Sequence, residues 1–227
     1  MSNVLKFLPR FLVCGLRAAW ILVHRRGQTR RDADGNCVDA QGEPLPWLTY
    51  PAIDFLDSLE LRGRRVFEFG SGGSTLFWAR RGATVCSVEH HVPWFEKMKK
   101  HAGGTIMLIG QPDLAKYPEE IRALGEFDII LVDGAERMNC TRSAIEHLAP
   151  DGMLILDNSE WYPNCCKFLR DKELTQIDFC GFGPLNSFTS TTSVFIRGRI
   201  AFPHKQKPPS WTPIGGSALE RPPPDDF

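Results

Sequence analysis

The sequence lacks the cysteine spacing of a zinc site or of a disulfide framework. It has seven cysteines, an odd number, with no CxxC pair, and most of them lie within apolar runs. Such cysteines are typical of buried thiols in a reducing compartment, and the adjacent Cys165 and Cys166 leave a redox-active pair as the alternative. We therefore expect a cytoplasmic protein.

Acidic residues are absent from the first 31 positions, and no uncharged run approaches the ~18 residues that a membrane span needs. Lys6, Arg10 and Arg17 interrupt the apolar stretch at residues 4–24, and their spacing places them with His24 on one stripe of a helix. Segment 1–31 holds seven of the 27 basic residues and none of the 27 acidic ones, so it carries +7 and the remainder −7. This pattern predicts a basic amphipathic arm. It would contact either an anionic membrane surface at the cytoplasmic face, or the domain or a partner subunit.

Composition divides the rest of the chain into three parts. Residues 32–51, rich in Asp, Gly and Pro around Trp47 and Tyr50, predict a loop that either covers a pocket or packs on the core. Strand-like and helical stretches alternate over residues 52–200, with one of the helices expected near residues 118–124, which indicates a mostly parallel sheet with helices on both faces. Residues 201–227 are proline-rich and predict an extended tail.

The last two strand-like runs, residues 175–182 and 193–199, are separated by only a short loop. A parallel connection needs a crossover helix, for which this loop is too short, so we expect these two strands to be antiparallel.

The most informative segment is residues 66–74, an apolar strand that breaks at once into a glycine-rich turn. Gly70, Gly72 and Gly73 permit positive φ and allow a ligand to contact the backbone. Glu89 ends the next strand, where a carboxylate suits the two hydroxyls of a ribose. The segment therefore predicts a nucleotide-containing cofactor.

Ligands of parallel sheets bind at the carboxyl ends of the strands. The residues that end the predicted strands are Glu68 with Gly70, Ser71, Gly72, Gly73 and Ser74, then Glu89, His90 and His91, then Gly110 and Gln111, then Asp133, and finally Asp157 and Asn158. We expect these residues to converge on one edge of the sheet.

These motifs resemble those of the class I S-adenosylmethionine-dependent methyltransferases. The match comprises Glu68-Phe69-Gly70-Ser71-Gly72, Ser87-Val88-Glu89-His90, the run at residues 127–134 and the run at residues 152–158. The resemblance implies a Rossmann-like, seven-stranded, mostly parallel sheet with an antiparallel C-terminal hairpin. It also implies S-adenosylmethionine as cofactor and methyl transfer to a small molecule, with oxygen as the favoured acceptor atom. By analogy the amides of residues 70–74 would face the methionyl part, Glu89 the ribose, and Gly110 and Gln111 the adenine, and Glu68 of the motif also belongs to the implied cofactor site.

A hydroxyl acceptor must lose its proton, for which Asp133, His90 and His91 are the candidate catalytic residues. Asp133, Asp157 and Asn158 also resemble the Mg²⁺ ligands of catechol-type O-methyltransferases, whose characteristic lysine is replaced here by Glu136. The alternative is that Asp133 positions cofactor or substrate while Asp157 and Asn158 cap the next helix.

Two other functions remain open at this point. A dehydrogenase that binds NAD(P) shares the glycine turn and the acid after the second strand, but its pattern requires a third glycine where Thr75 stands. A catalytically silent protein could keep the fold as an interaction module. We expect no nucleic-acid partner, because basic residues are concentrated in the arm and the remainder is acidic.

Overall fold

A computed structural model describes residues 9–198 of the chain. The first part of the predicted arm, including Lys6, and the predicted tail at 201–227 lie outside the described residues. The helices are α1 (Arg10–His24), α2 (Tyr50–Asp57), α3 (Gly73–Arg80), α4 (Val92–Met98), α5 (Arg137–Glu146) and α6 (Pro163–Asp171). The strands are β1 (Arg65–Phe69), β2 (Thr84–Glu89), β3 (Ile106–Gly110), β4 (Phe127–Val132), β5 (Leu148–Asp157), β6 (Thr175–Phe182) and β7 (Thr189–Ile196).

The seven strands form one sheet in the order β3-β2-β1-β4-β5-β7-β6. Strands β1 to β5 are parallel, and β7 pairs antiparallel with both β5 and β6. The predicted fold class and the antiparallel final hairpin are confirmed. Because β1 lies between β2 and β4, the order of the chain reverses there, and the carboxyl ends of these strands form a crevice.

Helices cover both faces of the sheet, as the strand pattern predicts. One apolar cluster joins Ile53 of α2 and Trp78 of α3 to the first face, and a second joins Ala144 of α5 and Leu169 of α6 to the other. Within residues 9–198, no helix combines the length and the apolar character needed to cross a membrane.

Element boundaries differ from the sequence-based expectation at several places. The helix predicted near residues 118–124 is a single 3₁₀ turn, Tyr117–Glu119, since Pro118 removes a backbone donor and Gly125 follows at positive φ. Strand β7 begins at Thr189, four residues earlier than predicted, because its hydroxyl-bearing residues pair with β6 along the whole hairpin. Threonine is polar but favours strands, which hides such a start in a hydrophobicity pattern.

A buried carboxylate connects β1 to its neighbours. Glu68 is completely buried, and its Oε2 accepts hydrogen bonds from Thr75 Oγ1 at 2.6 Å and from Ser87 Oγ at 2.7 Å. Its Oε1 accepts from Trp78 Nε1 at 2.8 Å. Burial raises the pKa of Glu68, while these donors act in the opposite direction. The side chain therefore holds α3 and β2 against the end of β1.

Removing this carboxylate should destabilise the fold. We expect Glu68→Ala to lower the free energy of unfolding by about 3 kcal/mol, because three buried donors lose their acceptor and a cavity remains. Trp78→Phe removes one donor and part of a buried ring and should cost about 2 kcal/mol. Urea unfolding followed by circular dichroism measures both. A Glu68→Ala protein as stable as the parent would show that the network contributes nothing.

Candidate functional site

A cavity of about 530 Å³ opens at the carboxyl ends of β1, β2, β4 and β5. Its volume is within the range of small-molecule and cofactor sites, and it lies in the crevice that the strand order creates. The predicted site residues that line it are Gly70, Ser71, Gly72, Gly73, Ser74, Glu89, His90, His91, Asp133, Asp157 and Asn158. The structure thus brings together residues that are up to 88 positions apart in the chain.

The glycine turn connects β1 to α3 and forms one wall of the cavity. Gly70 has φ +108°, a conformation that side chains rarely adopt. A Cβ on Gly73 would lie 2.2 Å from the carbonyl oxygen of Leu45, so only glycine allows the segment before α2 to pack on the first turn of α3. The turn and the predicted loop at 32–51 therefore form one unit.

Glu89 lies at the end of β2 with its carboxylate at the cavity wall. Its Oε2 accepts from the backbone N and the Oγ of Ser71, both at 3.1 Å, and its Oε1 accepts from the backbone N of His91 at 2.8 Å. The side chain is nearly buried. A carboxylate has about four acceptor positions, so one remains for a ligand even with these bonds in place.

Three of the predicted cofactor contacts do not line the cavity. Glu68 lies beneath the turn, as described above. Gly110 is covered by the ring of Phe95, which would be 3.0 Å from an added Cβ, and Gln111 donates from Nε2 to Glu120 Oε1 at 2.6 Å. Gly110 is thus covered by α4, and the Gln111 side chain is engaged by Glu120.

Two residues that the sequence analysis missed close the cavity over the turn. Trp94 of α4 donates from Nε1 to the carbonyl oxygen of Ser71 at 2.6 Å, and its ring covers Gly72. Asn36 is 3% exposed and donates to Asp32 Oδ2 at 3.0 Å, but its Oδ1 has no partner among the described residues. This oxygen is 3.7 Å from the Cβ position of Gly72. The only sequence signal was the Asp-rich turn at residues 32–36, which predicts a loop but not its position.

Three exposed aromatic side chains, Trp47, Trp161 and Phe188, also line the cavity and mark its mouth. We call them the aromatic rim. Trp47 Nε1 donates to Asn186 Oδ1 at 3.1 Å, and the Arg31 guanidinium lies 5.6 Å from the Trp47 ring. All three side chains of the rim are about half exposed to solvent.

Two carboxyl groups, those of Asp133 and Asp157, lie at the floor. Arg137 donates from Nη2 to Asp133 Oδ1 at 2.9 Å and from Nε to the Gly134 carbonyl oxygen at 2.9 Å. Asp157 Oδ1 accepts from Thr192 Oγ1 at 2.6 Å. Burial raises the pKa of both aspartates, and the negative charge of Asp133 raises the pKa of Asp157 further.

Two of the three predicted Mg²⁺ ligands already have protein partners. Asp133 is paired with Arg137, and Asp157 accepts from Thr192. Across residues 9–198 no group of three His, Cys, Asp or Glu side chains could hold a metal ion. Asn158 has φ +52° and precedes a 3₁₀ turn. A guanidinium thus supplies a positive charge beside Asp133, and Mg²⁺ binding at Asp133, Asp157 and Asn158 stays a prediction.

The two predicted histidines have different surroundings. His90 Nδ1 is buried 3.4 Å from Glu89 Oε1, and its ring contacts Tyr117 edge-on at 5.5 Å. His91 is exposed and precedes the first turn of α4. Both line the cavity, His90 from a more restrained position.

Comparison with solved structures identifies the fold. The chain is similar to a protein of Methanobacterium thermoautotrophicum described as precorrin 8w decarboxylase, with 17% identity, 77% of this chain and 98% of that chain covered, and a TM-score of 0.51. A methyltransferase from Pyrococcus furiosus is also similar, with 13% identity, 82% and 99% coverage and a TM-score of 0.49. No family model matches the chain, and no curated protein sequence does. The chain has the fold of the class I S-adenosylmethionine-dependent methyltransferases.

The buried carboxylates predict a pH-dependent stability. The folded protein holds the proton of Asp157 more tightly than the unfolded chain does, because the pKa of this carboxyl is raised on folding. The stability that this proton contributes is fully present below the unfolded pKa and is lost as the pH rises through the folded pKa. Asp157→Asn keeps an acceptor for Thr192 without the charge. We expect it to exceed the parent in unfolding free energy by at least about 1 kcal/mol near pH 8, and to equal it near pH 4.

Urea unfolding at the two pH values measures this difference, with the exposed Asp151→Asn as control. The account is contradicted if Asp157→Asn and the parent keep the same difference at both values.

Proposed function

We propose that this protein transfers a methyl group from S-adenosylmethionine to a small molecule, with oxygen as the acceptor atom. The observation that carries the proposal is the placement of Glu89 and the glycine turn on one cavity at the point where the strand order reverses. A carboxylate with a remaining acceptor position, beside a turn of glycines and serines that a ligand can approach closely, suits a ribose and the polar chain attached to it.

The lining residues fit the cofactor at two points. Glu89 retains one acceptor position for a ribose hydroxyl. The unpartnered Oδ1 of Asn36 lies over the turn that would hold the methionyl part, where an ammonium group would supply the missing donor. Residues 70–74 contribute backbone and small side chains, which let a ligand approach closely.

When bound, the cofactor supplies an electrophilic methyl group, so the protein has to align the acceptor and take up its proton. Asp133 is the best-placed base, since its side chain is 29% exposed in the cavity and Arg137 fixes its orientation. Asp157 is nearly buried and interacts electrostatically with Asp133. Because two neighbouring carboxylates resist full ionisation, Asp133 and Asp157 would share one proton. His90 and His91 remain the alternative bases.

Isothermal calorimetry with S-adenosylhomocysteine tests the cofactor. We expect the parent to bind and Glu89→Gln to bind about tenfold more weakly, because the amide replaces one acceptor oxygen by a donor. Glu119→Gln, an exposed change away from the cavity, is the matched control. Absence of binding by the parent, or binding of NAD⁺ in its place, would refute the proposal.

Asn36 provides a second, independent test. Asn36→Ala should weaken S-adenosylhomocysteine about tenfold, through loss of one hydrogen bond to a charged group. The same change should leave 5′-methylthioadenosine unaffected, since that compound lacks the amino acid part. Equal losses with both compounds would show that Asn36 acts only by shaping the loop.

A further inference from the structure

Helix α1 exposes large apolar side chains over about half of its circumference, although Leu22 near its C-terminal end packs against the core. None of its residues is buried, and Phe11 is 73%, Leu16 55% and Trp20 54% exposed. At 100° per residue, Arg10, Arg17 and His24 occupy a stripe of only about 40°, and apolar or small residues fill the remainder. An exposed apolar surface of this kind usually marks a site that binds a membrane or another molecule.

The same region is strongly basic and its charges are not neutralised. Arg10, Arg17 and Arg25 form no ion pair with any residue in the described part of the chain, whereas Arg26 is held by Asp54 at 2.5 Å. No acid occurs among residues 1–31. The uncompensated charge therefore favours an anionic partner.

The C-terminal end of α1 is connected to the cavity mouth. Gln28, four residues after the helix, donates from Nε2 to the Gly183 carbonyl oxygen at 3.0 Å, and its own carbonyl accepts from the backbone N of Leu185 at 2.7 Å. The same loop carries Asn186, which binds Trp47 of the aromatic rim. The C-terminal end of α1 is thus linked, through one loop, to the mouth of the cavity.

We propose that α1 docks this protein on an anionic lipid bilayer, with the aromatic rim beside the bilayer surface. The helix would lie in the headgroup region with Phe11, Leu16 and Trp20 in the acyl boundary and its arginines at the phosphates. The rim places two further tryptophans, Trp47 and Trp161, at the cavity mouth, and this residue type is enriched at membrane interfaces.

The shape of the apolar sector favours lipid over a protein partner. A helix that binds in a groove or against a second copy buries one stripe and keeps a broad polar face in water. In α1 the polar stripe is narrow, and the exposed apolar residues point in directions about 180° apart. Lipid acyl chains can surround such an apolar sector, and lipid phosphates are opposite in charge to the arginines of α1.

Flotation of the full chain with vesicles tests the proposal. We expect binding to phosphatidylcholine vesicles that contain phosphatidylglycerol, weaker binding to phosphatidylcholine alone, and loss of the difference at high salt. The double variant Leu16→Glu with Trp20→Glu should fall at least about tenfold in vesicle-bound fraction, because two charges enter the apolar sector. The matched control, Met107→Glu with Leu114→Glu, changes two exposed apolar residues outside α1 and should bind as the parent does.

Equal flotation of the α1 double variant and the parent, or no binding by the parent, would overturn the proposal. Sedimentation of the parent as a dimer that the α1 variant abolishes, without vesicle binding, would assign the face to a second copy instead. S-adenosylhomocysteine affinity should be unchanged in the α1 variant, so failure of the docking proposal is separate from failure of the proposed function.

Discussion

A single buried carboxylate, that of Glu68, holds in place the strand, turn and helix that the cavity requires. It accepts hydrogen bonds from two residues of α3 and one of β2, so three elements meet at one side chain. The backbone N of Gly72 donates to Thr75 Oγ1 at 3.1 Å, which extends this network into the turn itself. Because the carboxylate is fully buried, losing any donor leaves a costly unpaired group, and the local geometry is therefore strongly specified.

Three further carboxyl groups line the cavity itself. Glu89 fixes the outer side of the turn through Ser71, while Asp133 and Asp157 lie at the floor with raised pKa values. Two neighbouring carboxyl groups reduce the stability of the fold at neutral pH. Such a local loss of stability is expected at a site that must exchange protons.

The sequence predicts the sheet and the turn well because their signals are local. Apolar runs such as residues 127–132 and the glycine-rich turn after Phe69 depend on neighbouring residues alone. The positions of Asn36 and Trp94 depend on how a loop and a helix pack over the turn, which no local pattern encodes. For the same reason Gly110 ends the expected strand but is covered by the ring of Phe95, and the Gln111 side chain binds Glu120. Glu68 fits the motif, yet the pleat of β1 directs it beneath α3.

The central claim is that the cavity binds a nucleoside cofactor between Glu89 and Asn36. A crystal structure of the full chain with S-adenosylhomocysteine tests it most directly. The expected result is density for a ribose hydroxyl within hydrogen-bond distance of the Glu89 carboxylate, and for the amino group at Asn36 Oδ1. Density for the ligand elsewhere on the chain, with Glu89 still bonded only to Ser71 and His91, would contradict it.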